Sequence, residues 1–220
     1  MQDGLNYVAD ENSKILILGV FPAEETLDKC KLIGVKDDYY LNFNNRFWEV
    51  IKKVIPNINE TTLKMINEKG YRYRKNILLQ NGIALWDIIK SCEKTKKKSS
   101  SNNDIVIETA VPNNISKFLT KYKNIKCVCI NGKGVYEDWC NNFEISSHCE
   151  SEWETWYSKF KPWLLKEIFP NINFIWLYST SKRVKESTFN MDKWESVLKK
   201  YIIKPTKNKT MIIKKSKDKN

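Results

Sequence analysis

Four short stretches of this 220-residue chain hold the side chains best suited to chemistry. Residues 19–26 read GVFPAEET and lead to YYLNFNNRFW at 39–48, and residues 81–89 read NGIALWDII. Asn131, Gly132 and Lys133 follow one apolar run; Ser179, Thr180 and Ser181 follow another, with Lys182 and Arg183 next in line. These are neutral amides, hydroxyls, turn backbone and a few cations. GVFPAE lacks the further glycines and the lysine of a phosphate-cradling loop, which argues against nucleotide hydrolysis. The single histidine, His148, lies in a polar, acidic segment (SSHCESE), where a surface position is expected rather than an acid or electrophile. Six cysteines (Cys30, Cys92, Cys127, Cys129, Cys140, Cys149) include one C-x-C and no C-x-x-C. No zinc, iron–sulfur or redox site is therefore expected, and the thiols read as buried and free. The C-x-C pair is expected to turn its side chains to opposite faces of a strand.

The elements that must carry these stretches follow from hydrophobic periodicity. Short apolar, β-rich runs at residues 14–20, 82–86, 125–130 and 173–178 are each followed by a segment of helical period, the pattern of parallel strands with crossover helices. Helices are expected over residues 46–55, 60–68, 114–121, 135–141, 153–168 and 191–203. The first should stop at Pro56, and Asn113 is expected to cap the helix at 114. The fold class is α/β: a three-layer α/β/α domain around a central four-stranded, mainly parallel sheet. Residues 94–103 (KTKKKSSSNN) lack apolar content and are expected to form a basic, exposed loop. In open parallel sheets ligands bind beyond the carboxyl ends of the strands, which is where all four stretches fall.

Composition bounds the rest. With 41% hydrophobic and 12% aromatic residues, the chain supports one core, expected over residues 1–203. Residues 204–220 form a lysine-rich tail expected to be disordered. The tail supplies half of the formal net charge of +12, a bias that favours a polyanionic partner. No apolar run approaches the length of a membrane span, so a soluble, intracellular protein is expected, cytoplasmic in a prokaryote or nuclear in a eukaryote, with no membrane partner.

The four stretches together resemble the uracil-DNA glycosylase superfamily, and within it the hypoxanthine-DNA glycosylases and their mismatch-specific uracil and thymine glycosylase relatives. The resemblance rests on G-V-F-P-A-E-E-T-L at 19–27, Tyr39-Tyr40, Asn45-Arg46-Phe47-Trp48, NGIALWDII with Cys92 and Asn103-Asp104-Ile105 beyond it, Asn131-Gly132-Lys133 and Ser179-Thr180-Ser181, in register over residues 14–200. It implies a glycosylase that removes deaminated bases, hypoxanthine and then uracil, from DNA, acting as a monomer without metal or cofactor. By the same resemblance Asn45 is the catalytic residue. Gly19, Val20, Phe21, Pro22 and Tyr40 would form the base pocket, with Phe21 stacking on the base. Asn131, Gly132, Lys133, Ser179, Thr180, Ser181, Lys182 and Arg183 would grip the DNA.

A neutral amide suits this reaction. Breaking an N-glycosidic bond builds positive charge on the sugar and negative charge on the base, and an amide can orient water or donate to the base without a shifted pKa. Asparagine at a helix start is equally a capping residue, so the structural role of Asn45 stays open at this point. Asp87 and Asp104 lie near the expected cleft, where capping or a salt bridge is as good an account of them as chemistry. The family pattern has a proline before N-x-F-W and a proline and asparagine after S-T-S. This chain instead has Phe43 and Asn44, and Lys182, Arg183 and Val184. An inactive DNA-binding module of the same fold, recognising a modified base, is the alternative those departures keep open.

Overall fold

The computed structural model describes residues 1–43, 45–95, 105–133, 164–182 and 184–202. In chain order the elements are β1 (Gln2–Asp3), β2 (Ile15–Gly19), α1 (Glu24–Leu32), α2 (Phe47–Val54), α3 (Glu60–Lys64), α4 (Glu68–Gln80), β3 (Ile83–Asp87), β4 (Ile89–Lys94), β5 (Ile105–Pro112), α5 (Ile115–Lys121), β6 (Cys127–Lys133), α6 (Leu164–Ile168), β7 (Asn173–Tyr178) and α7 (Met191–Tyr201). Strands β3, β2, β6 and β7 form a four-stranded sheet in that order, and every pairing in it is parallel. Its central strand β2 is buried along its whole length, which is why ILILG is an unbroken apolar run rather than an alternating one. The expected α/β class and central parallel sheet are present, with strand boundaries within three residues of those read from the sequence.

Several elements differ from expectation. The helix expected over 60–68 is two: α3 ends at Lys64, and α4 starts after Asn67, whose side chain accepts the Gly70 N–H. Helix α1 was not foreseen; two glutamates in its first turn and two lysines in its last complement its dipole, but its apolar stripe is short. The structure also has a second sheet, β1-β4-β5, with antiparallel pairings. Lys94, expected to open a loop, ends β4, while residues 96–104 lie outside the described residues. The helix expected over 135–141, most of that over 153–168, His148, Cys140, Cys149, Asp104 and the tail are likewise outside them. Asn114, not Asn113, caps α5 by accepting the Lys117 N–H. The expected opposite orientation of Cys127 and Cys129 is wrong: side chains two apart in a strand share a face, and the two sulfurs lie 3.8 Å apart. The four described cysteines are buried and free.

Two anchors set the segment that later carries the site. At the end of α4, Gly82 takes φ 71, a left-handed geometry that glycine adopts without Cβ strain, and the chain turns directly into β3. In the middle of α4, Arg74 is buried. Its Nε and Nη2 hold the Asp38 carboxylate at 2.9 and 2.5 Å, and its Nη1 donates to the Leu63 and Met65 carbonyls at 2.6 and 2.8 Å. The pair pins residues 38–41 against the α3–α4 junction and so fixes where the two following tyrosines sit.

Candidate active site

Tyr40, two residues beyond that ion pair, adopts φ 58, a conformation that costs a non-glycine residue on the order of 1–3 kcal/mol and persists only where surrounding contacts enforce it. Three contacts do so. Its ring stacks on Phe47 with centroids 3.9 Å apart and planes 12° off parallel. Its carbonyl accepts the Trp48 indole N–H at 3.2 Å. Its hydroxyl accepts from Asn131 Nδ2 at 2.8 Å. The YY and FW pairs of the sequence are therefore one packed unit, joining the segment after α1 to the start of α2.

Asn131, near the end of β6, is buried, and its amide faces inward. The Thr180 backbone N–H donates to its Oδ1 at 3.1 Å, which fixes the amide orientation, and its Nδ2 also reaches Thr180 Oγ1 at 3.3 Å. Asn131 thus joins Tyr40 to the turn after β7. From the other side, the Arg46 N–H donates to the Thr180 carbonyl at 2.8 Å, and Arg46 Nη1 donates to the Ser181 and Val184 carbonyls, both at 3.0 Å. The Arg46 guanidinium also lies 4.9 Å from the centre of the Phe189 ring. Beside this turn opens a cavity of about 450 Å³ lined by Tyr178, Ser187, Phe189, Asn190, Met191 and Lys193.

Asn45 stands between these two units. Its Oδ1 accepts the Phe47 N–H at 2.8 Å, an Asx turn leading into α2, while its own N–H donates to the Asn42 carbonyl at 2.9 Å. The N-cap of α2 is Arg46, which makes no side-chain cap bond; Asn45 instead forms an Asx turn that leads into the helix and occupies only its oxygen. The side chain is partly exposed, and its Nδ2 has no hydrogen-bond partner among the described residues.

At the carboxyl ends of the neighbouring strands β2 and β3, Gly19 pairs with Asp87 across the sheet. A Cβ at Gly19 would collide with Asp87 Oδ1 and lie 3.7 Å from the Tyr40 hydroxyl, so only glycine leaves room for this carboxyl. Among the described residues Asp87 neither caps a helix nor forms a salt bridge, the two accounts its sequence position allowed. It is buried, its Oδ2 has no hydrogen-bond partner among the described residues, and burial pushes its pKa up to about 7. Its backbone carbonyl accepts from Asn113 Nδ2 at 2.8 Å, which is what Asn113 does instead of capping α5. Burial, and secondarily the nearby Asp87 charge, raises the Tyr39 and Tyr40 phenols well above their ordinary range.

The remaining expected residues fall into two groups. Val20, Phe21 and Pro22 are buried directly after β2. The Val20 carbonyl accepts the Ile89 N–H at 3.0 Å, and the Phe21 ring packs against Gly4 with Lys94 Nζ 5.3 Å from its centre. Gly132 and Lys133 end β6. Ser179 Oγ accepts the Ser181 N–H at 3.2 Å, which shapes the turn after β7. Lys182 is exposed and 3.8 Å from Glu49, and Arg183 lies outside the described residues. The structure thus brings Gly19, Tyr40, Asn45, Asn131 and Thr180 into one connected network. Arg46 is a residue the sequence reading passed over, although its place beside Asn45 in N-R-F-W was the available signal.

No family model matches the chain. Curated relatives do. The chain is 33% identical over 138 residues to the hypoxanthine DNA glycosylase of Methanosarcina barkeri, covering 62% of this chain and 75% of that protein. It is 27% identical over 168 residues to the hypoxanthine DNA glycosylase of Methanosarcina acetivorans, covering 69% and 94%. Among solved structures, it resembles a solution NMR structure from Methanosarcina acetivorans assigned as a candidate uracil DNA glycosylase, with a TM-score of 0.56 and 23% identity over 90% of this chain and 96% of that one. This last likeness concerns the fold.

Proposed function

Since the chain belongs to the hypoxanthine DNA glycosylase family, within the uracil-DNA glycosylase superfamily, we propose that it excises deaminated bases from DNA, hypoxanthine first and uracil second, with Asn45 as its catalytic residue. DNA is the substrate. The target nucleotide must leave the duplex stack, at a cost of a few kcal/mol that a mispaired, deaminated base lowers. The C1′–N bond then breaks with its electron pair leaving on the base, the oxygen of a water molecule bonds to C1′, and the proton that water loses ends on the departing base. The products are a free base and an abasic site.

The geometry of Asn45 carries the reading. Its oxygen is tied to the Phe47 N–H, so the group it presents is an N–H donor, suited to the negative charge that develops on the departing base. The donor is held by the Asx turn into α2 and by the Tyr40, Asn131 and Thr180 network, so little reorganisation accompanies the reaction. The turn from Ser179 to Lys182, with Arg183, and the Gly132–Lys133 strand end supply hydroxyls, backbone N–H groups and cations for the phosphates on either side. In this reading the reaction is hydrolysis of the glycosidic bond alone, and the strand is left intact.

The test is incubation with duplexes carrying a single inosine, uracil or xanthosine site, followed by alkali. Scission at inosine, then uracil, and none at an undamaged adenine is expected. Salt-sensitive DNA binding with no scission on any substrate would overturn the enzymatic reading in favour of a binding module.

A further inference from the structure

Cys127 and Cys129 stand side by side in the middle of the parallel sheet. Residues two apart in a strand share a face, and the two sulfurs lie 3.8 Å apart. Both side chains are buried, and the register places Ile15 and Ile17 of β2 on one flank and Ile175 of β7 on the other. Spacing decides what the pair can hold. A disulfide needs its sulfurs at about 2.05 Å and its Cα atoms within about 6.8 Å. An extended strand sets these Cα atoms about 6.6 Å apart, at that outer limit. Two sulfurs bonded to one shared atom at about 2.3 Å, with about 95–110° between the bonds, stand about 3.4–3.8 Å apart. The pair is therefore spaced for a single bridging atom rather than for a direct bond. No third histidine, cysteine, aspartate or glutamate joins them among the described residues, which thus offer no closed four-ligand zinc site.

We propose that Cys127 and Cys129 form a dithiol site for trivalent arsenic, which bridges the two sulfurs and disturbs Asn131 beside them. Arsenous acid suits the pair on two counts. It is small and uncharged near neutral pH, so it enters an apolar setting without the cost of burying an ion. Its departing hydroxyls also accept the thiol protons, which matters because burial holds the Cys129 thiol protonated. Two As–O bonds break and two As–S bonds form; each thiol proton leaves with a hydroxide as water, and arsenic stays trivalent with one hydroxyl. Nothing is oxidised or reduced. Access comes through β7, an edge strand of mostly half-buried residues whose sheet neighbour is β6, and local opening costs less than unfolding the domain. The consequence runs along one face. Asn131 follows Cys129 by two residues, and its amide holds Tyr40 and the Thr180 turn. An arsenic atom with its hydroxyl overpacks the isoleucines around the sulfurs, and a close-packed core accommodates it only by shifting β6. Binding of arsenic is independent of the glycosylase reading; only its effect on base release rests on that reading.

The experiment incubates the full chain with sodium arsenite and follows bound arsenic by native mass spectrometry alongside single-turnover base release from an inosine duplex. Tryptic cleavage after Lys126 and Lys133 yields CVCINGK, which carries both thiols and no other cysteine, so the arsenic can be located without altering the protein. One arsenic per chain on that peptide is expected, with a slow fall in base release of about tenfold or more, the scale of a strained core. Both effects should reverse on adding 2,3-dimercaptopropanol. Cys127→Ala and Cys129→Ala should each bind no arsenic and keep in arsenite the rate they show without it, whereas Cys140→Ser/Cys149→Ser should behave as wild type. No arsenic on residues 127–133, or arsenic there with base release unchanged, would overturn the proposal. A wild type inactive on inosine would overturn the glycosylase reading instead, and the mass measurement would still decide whether the dithiol binds arsenic.

Discussion

Asn45 Oδ1 accepts the Phe47 N–H at 2.8 Å, so the amide oxygen is tied to the start of α2 while its nitrogen has no partner among the described residues. The turn and the chemistry compete for this residue only if they need the same atom, and they do not. The turn uses the oxygen; the proposed reaction uses the N–H. The assignment of a catalytic role therefore depends on separating the two ends of a single side chain.

The Arg74–Asp38 pair is predicted to be the most stability-critical contact behind the site. Both side chains are buried, so Arg74→Leu leaves a carboxylate uncompensated in the interior and should cost about 3–5 kcal/mol. Denaturant titration measures this directly. Pairing Arg74→Leu with Asp38→Leu should recover part of the loss, because the second change removes the stranded charge. A single substitution within about 0.5 kcal/mol of wild type, the range of an ordinary surface change, would show that the pair does not anchor the Tyr40 segment.

Arg46 is predicted to act by positioning the turn after β7. Arg46→Ala removes the donor shared by the Ser181 and Val184 carbonyls and the packing on Phe189. A turn that must be ordered at the moment of binding weakens affinity more than chemistry. KM for an inosine duplex should therefore rise about tenfold, one charged hydrogen bond's worth, with a smaller change in kcat. A fall in kcat alone would place Arg46 in the chemical step instead.

Asp87 should impose a pH dependence on stability. Its folded pKa, about 7, lies above the ordinary 3.8, so the native state holds this proton more tightly than the unfolded chain. Stability is consequently not penalised below about pH 4 and is lost progressively as pH rises toward 7, by on the order of 4 kcal/mol in total. Tyr39 and Tyr40, the titratable groups nearest it, stay neutral throughout this range. Asp87→Asn should melt close to wild type at pH 4 and clearly above it at pH 8, by thermal scans in matched buffers. A difference that stays constant with pH would mean that the carboxyl is not buried in its ionised form.

How far the sequence foretells this architecture depends on what kind of burial each element has. Strands β2 and β3 are buried almost throughout, so ILILG announces itself as an apolar run; NFIWLY reads the same way although β7 is an edge strand of mostly half-buried residues. Helix α4 does not. Gly70 passes close to the Met65 backbone, and Arg74 occupies the buried stripe, paired with a partner 36 positions away, so its pattern looks polar. Strand β4 reads IKSCEK, where charged residues alternate irregularly across a bulged antiparallel pairing. At the site, Gly19, Asn45 and the strand-end turns were visible as motif positions. The inward use of Asn131 and the unpaired state of Asp87 were not, because each depends on which groups the fold brings near, and spacing along the chain carries no such information.

The most direct test of the account is the Asn45→Asp enzyme on a duplex with one inosine, with released hypoxanthine quantified under single-turnover conditions alongside a melting curve. Aspartate closes an Asx turn as well as asparagine does, whereas Asn45→Ala should lose about 1 kcal/mol of stability with the hydrogen bond of the turn. The account predicts that Asn45→Asp melts like wild type yet releases base at least about 100-fold more slowly, the scale of losing one pre-organised donor. Wild-type rates from Asn45→Asp would contradict it, because the Asn45 N–H would then have no part in cleaving the bond.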